Sequence, residues 1–280
     1  LVSKGWEPED TTPSGRPKVD EKTLLAIEGI PEAAVLANLY RLQKMIGMLA
    51  EGNEAWLKLS HNDRIHPRLN TLGAVSGRTS CVKPNLQQVP SARLPYGGEC
   101  RDLFGAPPGY DLVSCDAKSL EVRCFAHYMS KYDGGDFSRD VLEGDVHQSN
   151  ADLMKCDRQT AKNTFFAIIY GAGAPKISDM LGISLTAADT LCRELFRKRP
   201  AMVHLIDTIK RTAQTRGYLV GLDGRRLYPR SAHSSVNLLV QAAGSCVSKR
   251  AAINFQGKVK ADKWNDRRVA IVGFIHDELL

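Results

Sequence analysis

The sequence has no Cys-x-x-Cys pair, no apolar run long enough to span a membrane, no leader that reads as a signal peptide, no internal repeat and no long low-complexity tract. Its seven cysteines (Cys81, Cys100, Cys115, Cys124, Cys156, Cys192, Cys246) are an odd number and scattered. That pattern points to free thiols in a reducing compartment and argues against structural zinc. The missing apolar run excludes a transmembrane helix. What remains is a chain of 280 residues, 43% hydrophobic and 25% charged, enough for a large core and two lobes. A net charge of +7 and a pI near 9.0 suit a polyanionic partner without identifying one.

The most informative stretch is residues 158–171, RQTAKNTFFAIIYG. Ala161, Phe165, Ile168 and Ala172 fall at helical spacing and mark a buried face. Asp157 can cap the start, and Gly171, Gly173 and Pro175 mark the end. Beside the buried face runs a second stripe, Arg158, Lys162, Phe166 and Tyr170, each four residues from the last and so one turn above the next. Two cations lie near the helix N-terminus, which itself favours anions, and two rings near the C-terminus. A nucleoside triphosphate fits such a stripe. So, on these residues alone, does an ordinary amphipathic helix with solvated cations and half-buried rings.

Around this helix the spacing predicts several further elements. Residues 1–20, rich in Pro, Gly, Thr and charge, read as irregular. Residues 21–58 read as helical, with Pro31 dividing them. Residues 66–90 are polar and loop-like, 110–115 read as a short buried strand ending at Asp116, and a helix follows through Leu120, Val122, Phe125 and Met129. Amphipathic helices are expected over 176–216, and a hairpin over 218–228 turning at Asp223-Gly224. A further helix is expected over 235–255. The segment beginning at Arg268 then supplies a buried strand over 269–275, followed by His276-Asp277-Glu278.

These pieces resemble, in order, the motifs of the family A DNA polymerases. Asp116-Ala117-Lys118-Ser119-Leu120-Glu121-Val122-Arg123 is similar to motif A, the 158–171 stripe to motif B (R-x3-K-x3-[FY]-x3-Y-G), and His276-Asp277-Glu278 to motif C. Gly77-Arg78-Thr79-Ser80, followed by Pro84-Asn85-Leu86-Gln87-Gln88-Val89-Pro90, is similar to the family segment beside the primer–template minor groove. The stretch after Gln43 and the His233-x3-Asn237 pair resemble the T-odd-phage replicative branch. The resemblance runs from about Gln43 to Leu280.

The resemblance implies an α+β right-hand fold, with an antiparallel palm sheet and mostly helical fingers and thumb remnant. Residues 1–65 would be thumb remnant and connecting helices, 66–129 the first palm part, 130–228 the fingers and 229–280 the second palm part. Both ends of the chain are expected to be cuts within a longer protein. The implied reaction is DNA-templated addition of dNTPs to a primer 3′-hydroxyl with release of pyrophosphate, in phage DNA replication. Its cofactor would be two Mg2+ ions held by Asp116, Asp277 and the Ala117 carbonyl, with Glu278 accessory. Glu121, His147, Arg158, Lys162, Phe166 and Tyr170 would meet the incoming dNTP. Arg78, Asn85, Gln87, Asn237, Gln241 and His276 would meet primer–template DNA, with Arg78, Asn85 and Gln87 donating to the minor-groove acceptors and so checking pair shape. A processivity factor is a possible further partner, no membrane is involved, and the compartment implied is the cytoplasm, a bacterial host's if the gene is a phage's.

Two departures stand out. Lys118 occupies a position where the family pattern usually has Ser; an ammonium there either weakens cation binding or contacts phosphate. Phe166 stands where T-odd-phage enzymes typically carry Tyr. Two other readings share parts of the pattern. Single-subunit RNA polymerases have the same motif B, but lack a Glu121 equivalent and end motif C in H-D-S. An inactive polymerase-like DNA-binding protein would not need intact Asp116 and Asp277.

Overall fold

The computed structural model describes residues 1–8, 10–264 and 269–280; Arg268, where the last expected segment begins, lies outside the described residues. The chain divides into two compact units, Leu1–Leu69 with Cys81–Val89, and Asn70–Ser80 with Pro90–Leu280.

The first unit is built on two helices. Asp20 accepts the backbone N–H of Thr23 at 2.8 Å and so caps α1, Glu21–Leu25. Pro31 opens α2, Pro31–Ile46, at the position where a missing N–H costs nothing. The expected break at Pro31 is therefore a helix start. Leu24, Ala33 and Ala37 form the buried contact between α1 and α2. The two small alanines let the helix backbones approach closely. A π-helical turn, Gly47–Glu51, follows α2, and the short helix α3, Trp56–Leu59, buries Trp56. Strands β1 (Ser60–His61) and β2 (Arg64–Ile65) pair antiparallel as a small hairpin. The chain passes between units at β3, Arg68–Asn70, and again at β4, Ser80–Val82.

The second unit holds the large core. After the short α4, Gly97–Asp102, and the two-residue strand β5, Cys115–Asp116, come α5 (Leu120–Asp133), α6 (Asp136–Glu143), α7 (Val146–Met154) and α8 (Arg158–Ile169). Phe125 of α5 packs edge-on against Phe137 of α6 and Phe165 of α8, at centroid distances of 6.3 and 6.2 Å. Each ring is essentially fully buried. Burial of such a side chain contributes about 1.5–3 kcal/mol, and each edge-to-face pair adds about 0.5–1.5 kcal/mol. Helices α9 (Ala174–Leu181), α10 (Leu185–Lys198) and α11 (Pro200–Arg216) fill the expected 176–216 region.

The hairpin forms as read, β6 (Leu219–Val220) pairing with β7 (Arg226–Leu227) around the Asp223-Gly224 turn. The helix expected over 235–255 is longer, α12 spanning Ser235–Ala261. Beyond it, β8 (Phe274–Ile275) and β9 (Glu278–Leu279) form a hairpin turning at His276-Asp277, and β9 also pairs with β5, giving the sheet order β5-β9-β8.

Two expectations are corrected. Residues 110–114 are not a buried strand: Leu112 and Val113 are exposed, and only Cys115–Asp116 pair. The apolar run 269–275 likewise contributes only Phe274–Ile275 to a strand, half-buried. An apolar run becomes a buried strand only where neighbours cover both faces, and the described sheet has three strands of two residues each.

Candidate active site

The sheet brings Asp116, Asp277 and Glu278 near one another. Pairing of β5 with β9 sets Asp116 opposite Glu278, and the Ala117 N–H donates to the Asp277 carbonyl at 3.1 Å. The Asp116 carboxyl is held above the usual carboxylate range, first by partial desolvation, then by the charge of Asp277 and then by that of Glu278. Ser114 Oγ donates to Glu278. His276 takes a left-handed conformation (φ 59°) at the hairpin turn that precedes Asp277. Its Nδ1 is buried without a hydrogen-bond partner.

This donor set has a definite chemistry. Carboxylate and backbone oxygens are hard ligands, and like charges crowded together favour a divalent cation. Among the described residues no three Asp, Glu, His or Cys groups converge on one metal position. The residues therefore fit an ion that draws the rest of its oxygens from water and a phosphate-bearing substrate, as magnesium commonly does. Lys118 is exposed, and its carbonyl accepts Arg123 Nε at 3.0 Å. The charges that act on Asp116 are those of Asp277 and Glu278.

Next to the carboxylates, the first turn of α5 presents Glu121. One of its oxygens pairs with Arg78 and the other accepts the Tyr170 hydroxyl. The Tyr170 hydroxyl is pushed well above its ordinary pKa, chiefly by burial and then by its bond to Glu121. Tyr170 is the C-cap of α8. From there the aromatic stripe continues down the helix, Tyr170 to Phe166 at 6.0 Å and Phe166 to His147 of α7 at 5.8 Å between ring centroids.

The opposite end of α8 is cationic. Asp157 caps it, accepting the N–H groups of Gln159 and Thr160, as the spacing predicts. Arg158 donates to Asp145 through Nε at 2.8 Å and Nη2 at 3.2 Å. Asp145 is also the N-cap of α7, accepting from the backbone N–H of His147 and Gln148. The Arg158 bond, more than any other cause, holds the Asp145 carboxyl at about 2. Lys162 and Arg158, after burial itself, keep the His147 imidazole below its ordinary pKa, and its Nδ1 is buried without a partner. The described geometry thus runs from Arg158, Lys162 and His147, past Phe166 and Tyr170, to Glu121. The sequence reading named His147 but gave no role to Asp145, whose place just before a helical run is an N-cap signal.

The remaining expected residues are less gathered. Asn237 and Gln241 stand one turn apart on α12, both half-buried, and Asn237 Oδ1 has no partner. Asn85 and Gln87 belong to the first unit, where the Asn85 side chain caps a 3-10 turn, Leu86–Gln88, by accepting the Gln87 N–H at 3.1 Å. Ser245, Lys249 and Arg199, which hold neighbouring parts of the second unit together, carry no local sequence signal and escaped that reading.

Comparison with known proteins bears on this arrangement. The chain is 33% identical over 316 residues to the DNA-directed DNA polymerases of Enterobacteria phage T3 and Escherichia phage T7, an alignment covering all of it and 44% of each relative. It thus spans less than half the length of those curated relatives. It shares its fold with the POL domain of Pol1 from M. smegmatis, solved with DNA primer-template and dNTP, at a TM-score of 0.82 and 24% identity, over 100% of this chain and 52% of that one. That likeness places the chain in the α+β polymerase-domain fold. The family model for DNA polymerase family A matches residues 2–280, and the chain therefore belongs to DNA polymerase family A.

Proposed function

We propose that this chain carries the polymerase centre of an enzyme that extends a DNA primer on a DNA template, using dNTPs and releasing pyrophosphate. The observation that carries the reading is the juxtaposition, in one unit, of the Asp116–Asp277–Glu278 carboxylates with the ordered stripe that ends in Glu121 and Tyr170. A phosphate-rich tail suits the cationic end of α8 and a flat base its aromatic end. A nucleotide lying along the helix then brings its reacting phosphorus toward the carboxylates.

Asp116, Asp277 and the Ala117 carbonyl would hold two magnesium ions, which when bound offset charge on the attacking and leaving oxygens. Arg158, Lys162 and His147 bind the triphosphate and balance the charge that develops on the departing pyrophosphate. For Arg158 this means exchanging its bond to Asp145 for a phosphate. Glu121, fixed by Tyr170 and Arg78, walls the sugar site against a 2′-hydroxyl, and Phe166 lies along the sugar's 3′ side. Arg78, Asn85, Gln87, Asn237, Gln241 and His276 contact primer–template DNA, and Glu278 is accessory.

The parts of the chain take the roles of thumb remnant (1–65), palm (66–129 and 229–280) and fingers (130–228). Primer–template DNA and dNTPs are the partners, with a processivity factor a further one. The setting is phage DNA replication in a bacterial host's cytoplasm. No helix among the described residues is long and apolar enough to cross a membrane.

Primer extension with dNTPs, and separately with rNTPs, tests the reading. Extension with dNTPs that vanishes in Asp116→Ala supports it. Preference for rNTPs would make this an RNA polymerase, and primer–template binding with no synthesis would make it a DNA-binding relative without activity.

A further inference from the structure

Helix α12 presents Ser245 and Lys249 four residues apart, one turn above the other. Both reach the same backbone oxygen. Ser245 Oγ donates to the Gly77 carbonyl at 2.7 Å, and Lys249 Nζ donates to it at 2.5 Å. Lys249 Nζ also donates to the Thr71 carbonyl at 2.5 Å. A single ammonium therefore ties together the two ends of the loop 71–77. The loop is closed internally as well, Gly77 N–H donating to the Ala74 carbonyl at 2.8 Å and Ala74 N–H to the Arg78 carbonyl at 3.2 Å.

The arrangement is costly to build and so is informative. Among the described residues Lys249 makes no ion pair. Two of its three donors go instead to neutral carbonyls of one loop. Burial, and then the neighbouring Arg225, hold its pKa below the ordinary lysine value. Arg225 also packs onto the loop, its guanidinium 2.5 Å from where a Cβ on Gly77 would stand. The residue that follows this clamped carbonyl is Arg78, whose guanidinium meets Glu121, which in turn receives the Tyr170 hydroxyl.

We propose that Lys249, with Ser245 beside it, is a positioning residue for the active site. By clamping both ends of the loop 71–77 it fixes where Arg78 presents its guanidinium, and through Arg78 it sets the Glu121 carboxylate against the nucleotide sugar. The inference rests on the function proposed above, in which Glu121 and Arg78 meet substrate. Lys249 itself is not among the residues assigned there to nucleotide or metal.

The test is a double-mutant cycle, because a residue that acts through Arg78 has nothing to act on once Arg78 is gone. Lys249→Met keeps the aliphatic stem and removes the donors. In the otherwise unmutated enzyme it is expected to lower kcat/KM for dNTPs and the preference for dNTPs over rNTPs, each by about tenfold. In the Arg78→Ala background the same change is expected to cost less than about twofold. Equal losses in both backgrounds, or no loss in the first, would overturn the proposal. Ser245→Ala runs through the same cycle and keeps it decidable if Lys249→Met fails to fold. A substrate-free readout separates this inference from the functional reading. With 13C-labelled tyrosine, the Tyr170 resonance should move in Lys249→Met in the same direction as in Arg78→Ala. A Tyr170 resonance left in place by Lys249→Met would sink the clamp whether or not the protein extends primers. Loss of all extension in the unmutated protein, with the resonance shift intact, would count against the polymerase reading alone.

Discussion

The Tyr170 hydroxyl donates to Glu121 across 49 residues of sequence, joining the end of α8 to the first turn of α5. Arg78 takes the other oxygen of the same carboxylate. With both oxygens engaged, the Glu121 carboxylate is held by two neighbours, and in the function proposed above it walls the sugar site. Burying an unpaired 2′-hydroxyl against it costs on the order of a few kcal/mol. Glu121→Ala should therefore raise the ratio of rNTP to dNTP incorporation by at least about tenfold. Competition between the two nucleotides on one template measures it, and an unchanged ratio would remove Glu121 from the gate.

The carboxylates should separate chemistry from binding. Asp116→Ala and Asp277→Ala are each expected to abolish extension, with primer–template affinity changed little because phosphate contacts elsewhere supply it. Single-turnover extension and fluorescence anisotropy give the two quantities. Activity within tenfold of the unmutated enzyme in either variant would contradict the assignment.

His147 gives the pH dependence. Its imidazole is held below the ordinary value of 6.5, so the folded chain carries fewer protons than the unfolded one wherever the unfolded imidazole is charged. The stability this supplies is fully present above about pH 6.5 and is lost as pH falls through the interval below it. The Tm of the unmutated protein should thus fall more steeply between pH 7.5 and 5.5 than that of His147→Gln. Parallel curves would mean that His147 titrates normally.

Much of this centre was legible in sequence because it is built on local periodicity. The four-residue stripe of α8, the Asp157 cap and the Asp223-Gly224 hairpin depend on neighbours a few residues away, and each forms as expected. The unread parts are contacts between distant segments. Nothing near Lys249 announces a bond to Gly77, 172 residues earlier, and nothing near Arg199 announces one to Asp140. The two overread strands, 110–115 and 269–275, fail for the same reason in reverse. Apolar composition is local, whereas burial depends on what packs from elsewhere.

Arg199 joins three parts of the second unit. Its guanidinium donates to Asn150 at 3.0 Å, Ser149 at 3.0 Å and Asp140 at 3.0 Å, and lies 4.8 Å from the Phe137 ring centroid. Asn150 and Phe137 are fully buried. Arg199→Ala leaves their polar and aromatic faces without this partner and should cost about 1.5–3 kcal/mol of stability. Urea denaturation checks the figure, and a change below about 0.5 kcal/mol would show that the network is slack.

Phe166 offers a test of the whole α8 orientation. A normal substrate brings its own 3′-hydroxyl to satisfy a nearby phosphate oxygen, which a dideoxynucleotide lacks and a Phe ring cannot replace. A lost hydrogen bond to a charged group is worth roughly 1.5–3 kcal/mol, about 10- to 150-fold in rate. Phe166→Tyr should relax rejection of ddNTPs by at least tenfold while leaving dNTP use nearly unchanged. Termination frequency at fixed ddNTP:dNTP ratios decides it; equal termination by both forms would mean that Phe166 does not face the sugar.

Gly171, directly after Tyr170, has φ +88°, and a Cβ there would stand 2.4 Å from the His233 carbonyl oxygen. Gly77, at φ +77°, is also crowded, but by the flexible end of the Arg225 side chain, which can step back. The two glycines should therefore drift differently under selection. In a randomised library propagated for polymerase activity, position 77 should return occasional Asn survivors alongside Gly. Position 171, facing the His233 backbone, should return glycine alone, so that the end of α8 evolves as an invariant while the loop before Arg78 keeps some freedom to explore.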